Sequence, residues 1–407
     1  MKRGFILKKI LAILLSAIMM SSFTACNNTA DTSNNETPST TIAETTVAEI
    51  ETDKVKWVPY KQYQLDENSE VKNVILMIGD GMGENIIKAA EIVKGDKLIM
   101  SGLENQTFVT TYSQSVTEGK AEFTDSAAAA TAISTGVKTY NQYIGVDAEG
   151  NNLETICEFA KKLDMKTGLV DRHDVSHATP AGMAAHNTYR GNYRPLLRDM
   201  LKTGVDVMFG GGEQYYKTSK GAQSDVEEYG YKYINDETSL LALTKDDSKV
   251  LGMFSYENMK NAAMKPTLTT MTSKALELLD NDNGFFLMVE GSNIDVCEAE
   301  EDMQGTIEQM QAFDHTVDYV LNWAQDHPGT LVIVTADHET GGVIIPENAT
   351  ADDINDSCFT SGGDHTNTNV LLMAGGAQSA GICKDDVIDN TDIAKYMRKV
   401  LNESHGK

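Results

Sequence analysis

Cationic side chains are scarce in this 407-residue chain: 34 Lys and Arg stand against 60 Asp and Glu, a formal charge of -26. A nucleic-acid backbone partner requires a basic face, and this balance excludes one. A small anionic substrate is not excluded, because one focused metal site overrides the net field locally. Cysteine is also rare, five residues in all, so this is no disulfide scaffold. With 32 glycines and 7 prolines the composition is neither fibrous nor low in complexity. The longest apolar-dominated run, Ile10 to Met20, has eleven residues, where a membrane span takes about 20. What the chain does have is 41% hydrophobic residues, enough to bury a large core as one big α/β domain or as two.

The N-terminus reads as an address. Lys2, Arg3, Lys8 and Lys9 precede the apolar run, and Ser21-Ser22-Phe23-Thr24-Ala25-Cys26 follows it. A basic start, a short apolar stretch and small residues mark residues 1–25 as a secretory signal. Cys26 resembles the lipid-carrying cysteine of bacterial lipoproteins, with Phe23 where leucine is usual; a plain cleaved signal with an incidental cysteine is the other reading. From Asn27 to Thr52 the chain carries eight threonines and almost no large apolar side chain. Such a stretch cannot offset its ordering entropy by burial, so residues 26–54 are expected to be a lipid-anchored, disordered tether. The expected location is outside the cytoplasm, at the cell surface or in the periplasm, with the membrane reached through lipidated Cys26. The folded domain is then 55–407. Its cysteines, Cys157, Cys297, Cys358 and Cys383, suffice for two disulfides, but their spacing names no framework and no zinc knuckle.

From Val71 onward short apolar runs alternate with helical patterns. Strands are expected at Asn73–Ile78, Thr167–Val170, Val205–Phe209, Phe285–Val289, Leu331–Thr335 and Asn369–Met373, several as continuous apolar runs covered on both faces. Helices are expected at Glu84–Val93, Leu153–Leu163, Leu268–Leu279 and Gly305–Ala324. The alternation predicts an α/β fold, a mostly parallel central sheet with helices on both faces. Gly212 to Phe254 lacks a clean period and reads either as a cover over the site or as an oligomer contact.

Polar residues cluster where strands stop. The first ends in Gly79-Asp80-Gly81-Met82-Gly83, the fourth in Glu290-Gly291-Ser292-Asn293-Ile294-Asp295, and the fifth in Ala336-Asp337-His338-Glu339; Asp364-His365 lies just before the sixth. Ligand crevices of open α/β sheets lie beyond the carboxyl ends of the strands. Mixed carboxylate and imidazole donors suit zinc, and an oxygen-richer corner suits magnesium. One Asp-His pair is weak as a signal, since turns and helix caps use the same residues. Three strand ends carrying them are harder to explain by turn chemistry. Ser126, between Thr124-Asp125 and the run Ala127-Ala128-Ala129-Ala130, is placed at a helix N-terminus, where free amides favour an anion. On local pattern alone it is equally a helix cap.

Asn73 to Gly83 resembles the opening strand of the alkaline phosphatases. Thr124-Asp125-Ser126-Ala127-Ala128 and Ser134-Thr135-Gly136-Val137-Lys138-Thr139 resemble their nucleophile segment. His177-Ala178-Thr179-Pro180-Ala181 with Arg190, Val289-Glu290-Gly291, Val334 to Gly342 and Asp364-His365-Thr366 follow in family order, so the likeness runs from Val71 to Leu401. The resemblance implies hydrolysis of small phosphate monoesters, with Ser126 as nucleophile and Arg190 clamping phosphate oxygens. It implies Asp80, Asp337 and His338 on one zinc, Asp295 and His365 on a second, and Thr179 and Glu290 with bridging Asp80 on magnesium. Asp125 and His177 would stand behind these residues or touch substrate. A homodimer is implied by resemblance only.

One position departs from the pattern. A histidine is usual four residues after the aspartate matched by Asp295, on the same helical face; here Ala299 stands there and cannot bind a metal. Glu298 can substitute from nearly the same face, Cys297 or Glu300 can serve after rearrangement, or the outer metal rests on Asp295 and His365 alone. The milder departure is His177, where some bacterial members have aspartate; an imidazole makes that corner less oxygen-rich and is expected to weaken its magnesium preference. Two other readings remain: a related enzyme acting on phosphodiesters or sulfates, or a non-catalytic surface lipoprotein that binds phosphate or metal. No Cys/Ser-x-Pro-x-Arg setting surrounds Ser126, which counts against the sulfatase form.

Overall fold

The computed structural model describes residues 56–406; the signal, Cys26 and the tether lie outside the described residues. Twelve strands occur among them: β1 (Asn73–Ile78), β2 (Asn105–Thr110), β3 (Lys166–Asp174), β4 (Val207–Gly211), β5 (Lys232–Ile234), β6 (Val250–Met253), β7 (Phe285–Glu290), β8 (Thr330–Thr335), β9 (Glu339–Thr340), β10 (His365–Thr366), β11 (Val370–Gly376) and β12 (Val387–Asp389). Ten form one sheet in the order β12-β2-β11-β8-β1-β7-β3-β4-β6-β5, and β9 pairs with β10 in a short ribbon. Only β11 runs against its neighbours in the large sheet, antiparallel to β8 and to β2. The fold is therefore the mostly parallel α/β sheet that the alternation predicts.

The apolar runs become the central strands because both faces are covered. Every residue of β1, β7 and β8 is buried. The Met303–Gln325 helix packs on the helices Glu84–Lys94, Leu268–Leu279 and Asn293–Ala299, while Ser126–Thr135 packs on Ala178–Gly182 and Asn390–Ser404. Boundaries follow the caps. Thr155 and Glu158 form a capping box that starts one helix at Ile156, three residues inside the expected Leu153, and Asp302 caps another at Met303, two residues outside the expected Gly305.

Gly212 to Phe254 is built into the central sheet. It supplies β5 and β6, which close the far edge of the sheet beside β4. It holds three short helices, Glu213–Lys217, Lys220–Glu228 and Glu237–Leu241, the last two begun by the caps Ser219 and Asp236, and such short elements leave no long apolar period. The four cysteines of the described residues are unpaired.

Register decides where the polar residues emerge. Ile78 lies opposite Glu290 on β7 and Thr335 on β8. Asp80, Glu290 and Asp337 consequently leave adjacent strands on the same rim.

Candidate metal centre and nucleophile

Ser126 is the first residue of its helix, and the cap is its neighbour: the Asp125 side chain accepts from the Ala128 amide at 3.0 Å. The serine hydroxyl is thereby released from capping, at the positive end of the helix. The alanines behind it are buried, and they let the helix come close to the next one. A Cβ added at Gly182 would lie 2.7 Å from that of Ala130. This contact fixes the helix carrying Ser126 against the segment carrying His177 and Thr179.

The Ser126 oxygen lies 3.3 Å from Nε2 of His338. That nitrogen also faces Asp80 Oδ1 at 3.4 Å and Asp337 Oδ2 at 3.3 Å. The hydrogen bonds fix the tautomer. Thr340 donates its only hydroxyl proton to Asp295 Oδ1 at 2.6 Å, so its 3.2 Å contact with His338 Nδ1 is donated by the ring. His338 Nε2 then carries a lone pair, aimed at two carboxylates. His365 repeats the device: Nδ1 donates to the Thr124 carbonyl at 2.9 Å, leaving Nε2 to face Asp295 Oδ1 at 3.6 Å. A lone pair facing a carboxylate is repulsive unless a cation lies between them, and an outer N–H bound to a carbonyl or hydroxyl is the usual support of a metal-binding histidine.

The buried carboxylates tell the same story. Asp80 Oδ1, Asp337 Oδ2, both Glu290 oxygens and the Thr179 hydroxyl are buried with no aligned hydrogen-bond partner among the described residues. Burial, then the charge of neighbouring carboxylates, pushes Asp80 and Glu290 well above the usual carboxylate range. Burial likewise pushes His338 well below its ordinary value, so it is neutral, as a ligand must be. Two groups, Asp80-Asp337-His338 and Asp295-His338-His365, bring their donor atoms within 4.8 Å of one another. The donor set fits divalent metal ions.

Around Ala299 the candidates separate. Glu300 points outward to Lys260. Cys297 Sγ lies 3.0 Å from where a Cβ on Gly305 would be, against the next helix. Glu298 alone is fully buried with both oxygens unpartnered. Its Oε2 would be 2.4 Å from a Cβ on Gly81, the residue after Asp80. Gly81 has φ +77°, so glycine answers both the backbone and the space there. Burial and the charges of Asp295, Glu339 and Asp337 raise the Glu298 carboxyl well above normal.

Arg190 is held on two sides: one terminal nitrogen bonds Asp125 at 3.2 Å and the other donates to His177 Nε2 at 3.1 Å. His177 is accordingly neutral, which its burial also enforces, and it stacks on His173 with ring centroids 4.0 Å apart. Its Nε2 lone pair serves the arginine. His315 and His327 are structural, bound to Thr269 and stacked on Trp323.

The sequence reading missed Thr340, which orients His338, and Asp171, which is buried beside Glu290. Asp171 follows the apolar stretch Thr167–Val170 as Asp80 follows β1, and that signal could have found it.

Fold and site together define a class: an α/β protein that gathers a serine, an anchored arginine and carboxylate–imidazole metal donors beyond the carboxyl ends of parallel strands. The family model described as alkaline phosphatase matches residues 71–354, and the chain belongs to that family. Alkaline phosphatase 4 of Bacillus subtilis is 36% identical over 303 residues, 69% of this chain and 64% of the relative, so the chain spans a little under two thirds of its length. The cold-active alkaline phosphatase of a psychrophilic Shewanella superimposes with a TM-score of 0.73 at 29% identity, covering 81% of this chain and 99% of that one. A TAB5 alkaline phosphatase variant with one histidine replaced by aspartate matches with a TM-score of 0.71 at 29% identity, over 83% of this chain and 99% of that one, and has magnesium bound in its M3 site.

Proposed function

We propose that this protein hydrolyses small phosphate monoesters with the help of divalent metals, through a phosphoserine on Ser126. The observation that carries the reading is the position of the Ser126 oxygen, at a helix N-terminus and 3.3 Å from the inward-facing lone pair of His338. Asp80, Asp337 and His338 would hold one zinc. Asp295 and His365 would hold a second, with Glu298 in place of the histidine missing at 299. Thr179, Glu290 and bridging Asp80 would hold magnesium, the metal carried by the third site of the TAB5 variant. When bound, these ions supply positive charge to the serine and leaving-group oxygens and acidify water for the second half of the reaction.

The chain's own residues do the rest. Two of the five guanidinium donors of Arg190 go to Asp125 and His177, and the fork keeps others for phosphate oxygens. The helix N-terminus adds partial positive charge under the phosphoryl group. Attack by the Ser126 oxygen on phosphorus forms a phosphoserine and releases the alcohol. Water then cleaves that bond, returning the serine hydroxyl and inorganic phosphate. The buried, unpartnered carboxylate of Glu298 supports a substitute donor for the outer metal and so counts against the reading in which Ala299 leaves a protein that only binds phosphate or metal. Export, membrane attachment through lipidated Cys26 and a homodimeric state belong to the same proposal; among the described residues no helix is long and apolar enough to cross a membrane.

The test is p-nitrophenyl phosphate hydrolysis against added zinc and magnesium, beside Ser126→Ala. Metal-dependent turnover that the variant lacks supports the reading. Folded protein without turnover at any metal concentration overturns it.

A further inference from the structure

β3 continues past its apolar stretch into Asp171-Arg172-His173-Asp174, and these residues stay in or beside the core rather than turning out to solvent. The register with β7 pairs Val170 with Val289. One step further on, Asp171 stands beside Glu290, on the same face of the pleat. The two carboxyl groups are within hydrogen-bonding reach of each other, with Thr179 beside Glu290 and Ser292 beside Asp171. Asp171 is 1% exposed and Glu290 and Thr179 not at all. The Asp171 Oδ1 atom accepts from the His173 amide at 2.9 Å. Its Oδ2, both Glu290 oxygens and the Thr179 and Ser292 hydroxyls have no aligned hydrogen-bond partner among the described residues.

Two carboxyl groups facing each other away from water must either share a proton or hold a cation between them. The nearest arginine in sequence, Arg172, does not serve as one, because it donates to the carbonyls of Met259, Asn261, Met264 and Pro266. His177, which occupies the place of a carboxylate in some bacterial relatives, has its lone pair engaged by Arg190. Asp171 offers an oxygen where His177 does not, and the unpartnered atoms of Asp171, Glu290, Thr179 and Ser292 are all oxygens; the unpartnered His177 nitrogen, Nδ1, carries the ring proton and is no donor to a metal. Such a set selects a hard, oxygen-seeking dication over zinc.

We propose that Asp171 is an additional anionic ligand of the third cation site, beside Glu290 and Thr179, and that it makes this corner a magnesium site despite His177. The inference rests on the metal-centre reading above. It reverses the expectation that the histidine weakens magnesium preference.

The experiment is calorimetric titration of magnesium into the purified, zinc-loaded protein, with bound metals counted by mass spectrometry and melting temperatures read with and without magnesium. The wild type is expected to take up magnesium after zinc. Asp171→Asn is expected to weaken magnesium binding about tenfold or more, to keep its zinc content, and to lose most of the magnesium-induced rise in melting temperature. Asp171→Ala, which removes the oxygens altogether, gives the same loss. Unchanged magnesium affinity in both variants overturns the proposal, as does a wild type that loads zinc but no magnesium. A wild type that binds neither metal overturns the metal-centre reading itself, which separates the two failures.

Discussion

Ala299 is a one-residue change whose consequences turn on a neighbour. Glu298 is buried, unpartnered and close to Asp295, Asp337 and Glu339 in charge. Its carboxylate has no protein partner to lose, so Glu298→Gln removes a metal donor while keeping shape. We expect zinc at the outer site to bind about 10–100-fold more weakly, read by metal content after dialysis, while Ala299→His added to that variant recovers it. Equal zinc content in wild type and Glu298→Gln would remove Glu298 from the centre. At this scale the sequence was readable where a ligand-type residue closes an apolar strand, as with Asp80 and Asp337. At Asp171 the same strand-end signal is present but masked, because Asp171-Arg172-His173-Asp174 looks like a solvated loop. Only the pairing of β3 with β7 and β4 shows that it is buried.

Among the elements, the helix bearing Ser126 depends on close approach. Gly182 leaves no room for a Cβ against Ala130, so Gly182→Val forces two helices apart. Overpacking of this kind costs about 1–3 kcal/mol, and here it also shifts Ser126 relative to Thr179. Denaturant unfolding should show that loss, with turnover falling further than stability; unchanged values for both would mean that the helices adjust freely. The strands foreseen from continuous apolar runs are the central ones, β1, β7 and β8. Those missed are short or lie near the edges. β2 alternates between buried and partly exposed positions, and β5 and β12 have three residues each. The reversal of β11 was not legible either, since a strand's direction is set by its connections rather than by its composition.

Across the whole molecule, like charge gathers where the metals are expected. Burial pushes Asp171 up to about 6 and Asp174 up to about 7 from an ordinary 3.8. The sign follows from linkage. Between 3.8 and those values the folded chain keeps protons that the unfolded chain has released, so stability falls as pH rises through that window. The buried neutral His173, His177 and His338 act in the opposite sense below about pH 6.5, so the carboxyl effect is read above it: metal-stripped protein should melt lower at about pH 8 than at about pH 6.5, and added magnesium or zinc should narrow the difference. Thermal unfolding at the two pH values, with and without metal, reads this directly; a metal-free protein more stable at the higher pH would contradict it. The net charge of -26 adds a general repulsion that salt screens, whereas the buried pair is screened much less.

The central claim is that Ser126 becomes phosphorylated during turnover. Rapid acid quenching of zinc-loaded enzyme with p-nitrophenyl phosphate, followed by peptide mass spectrometry, tests it most directly. One phosphate is expected, on Ser126, absent from metal-stripped protein and from Ser126→Ala. Turnover that proceeds in Ser126→Ala, or a phosphate trapped on another residue, would contradict it.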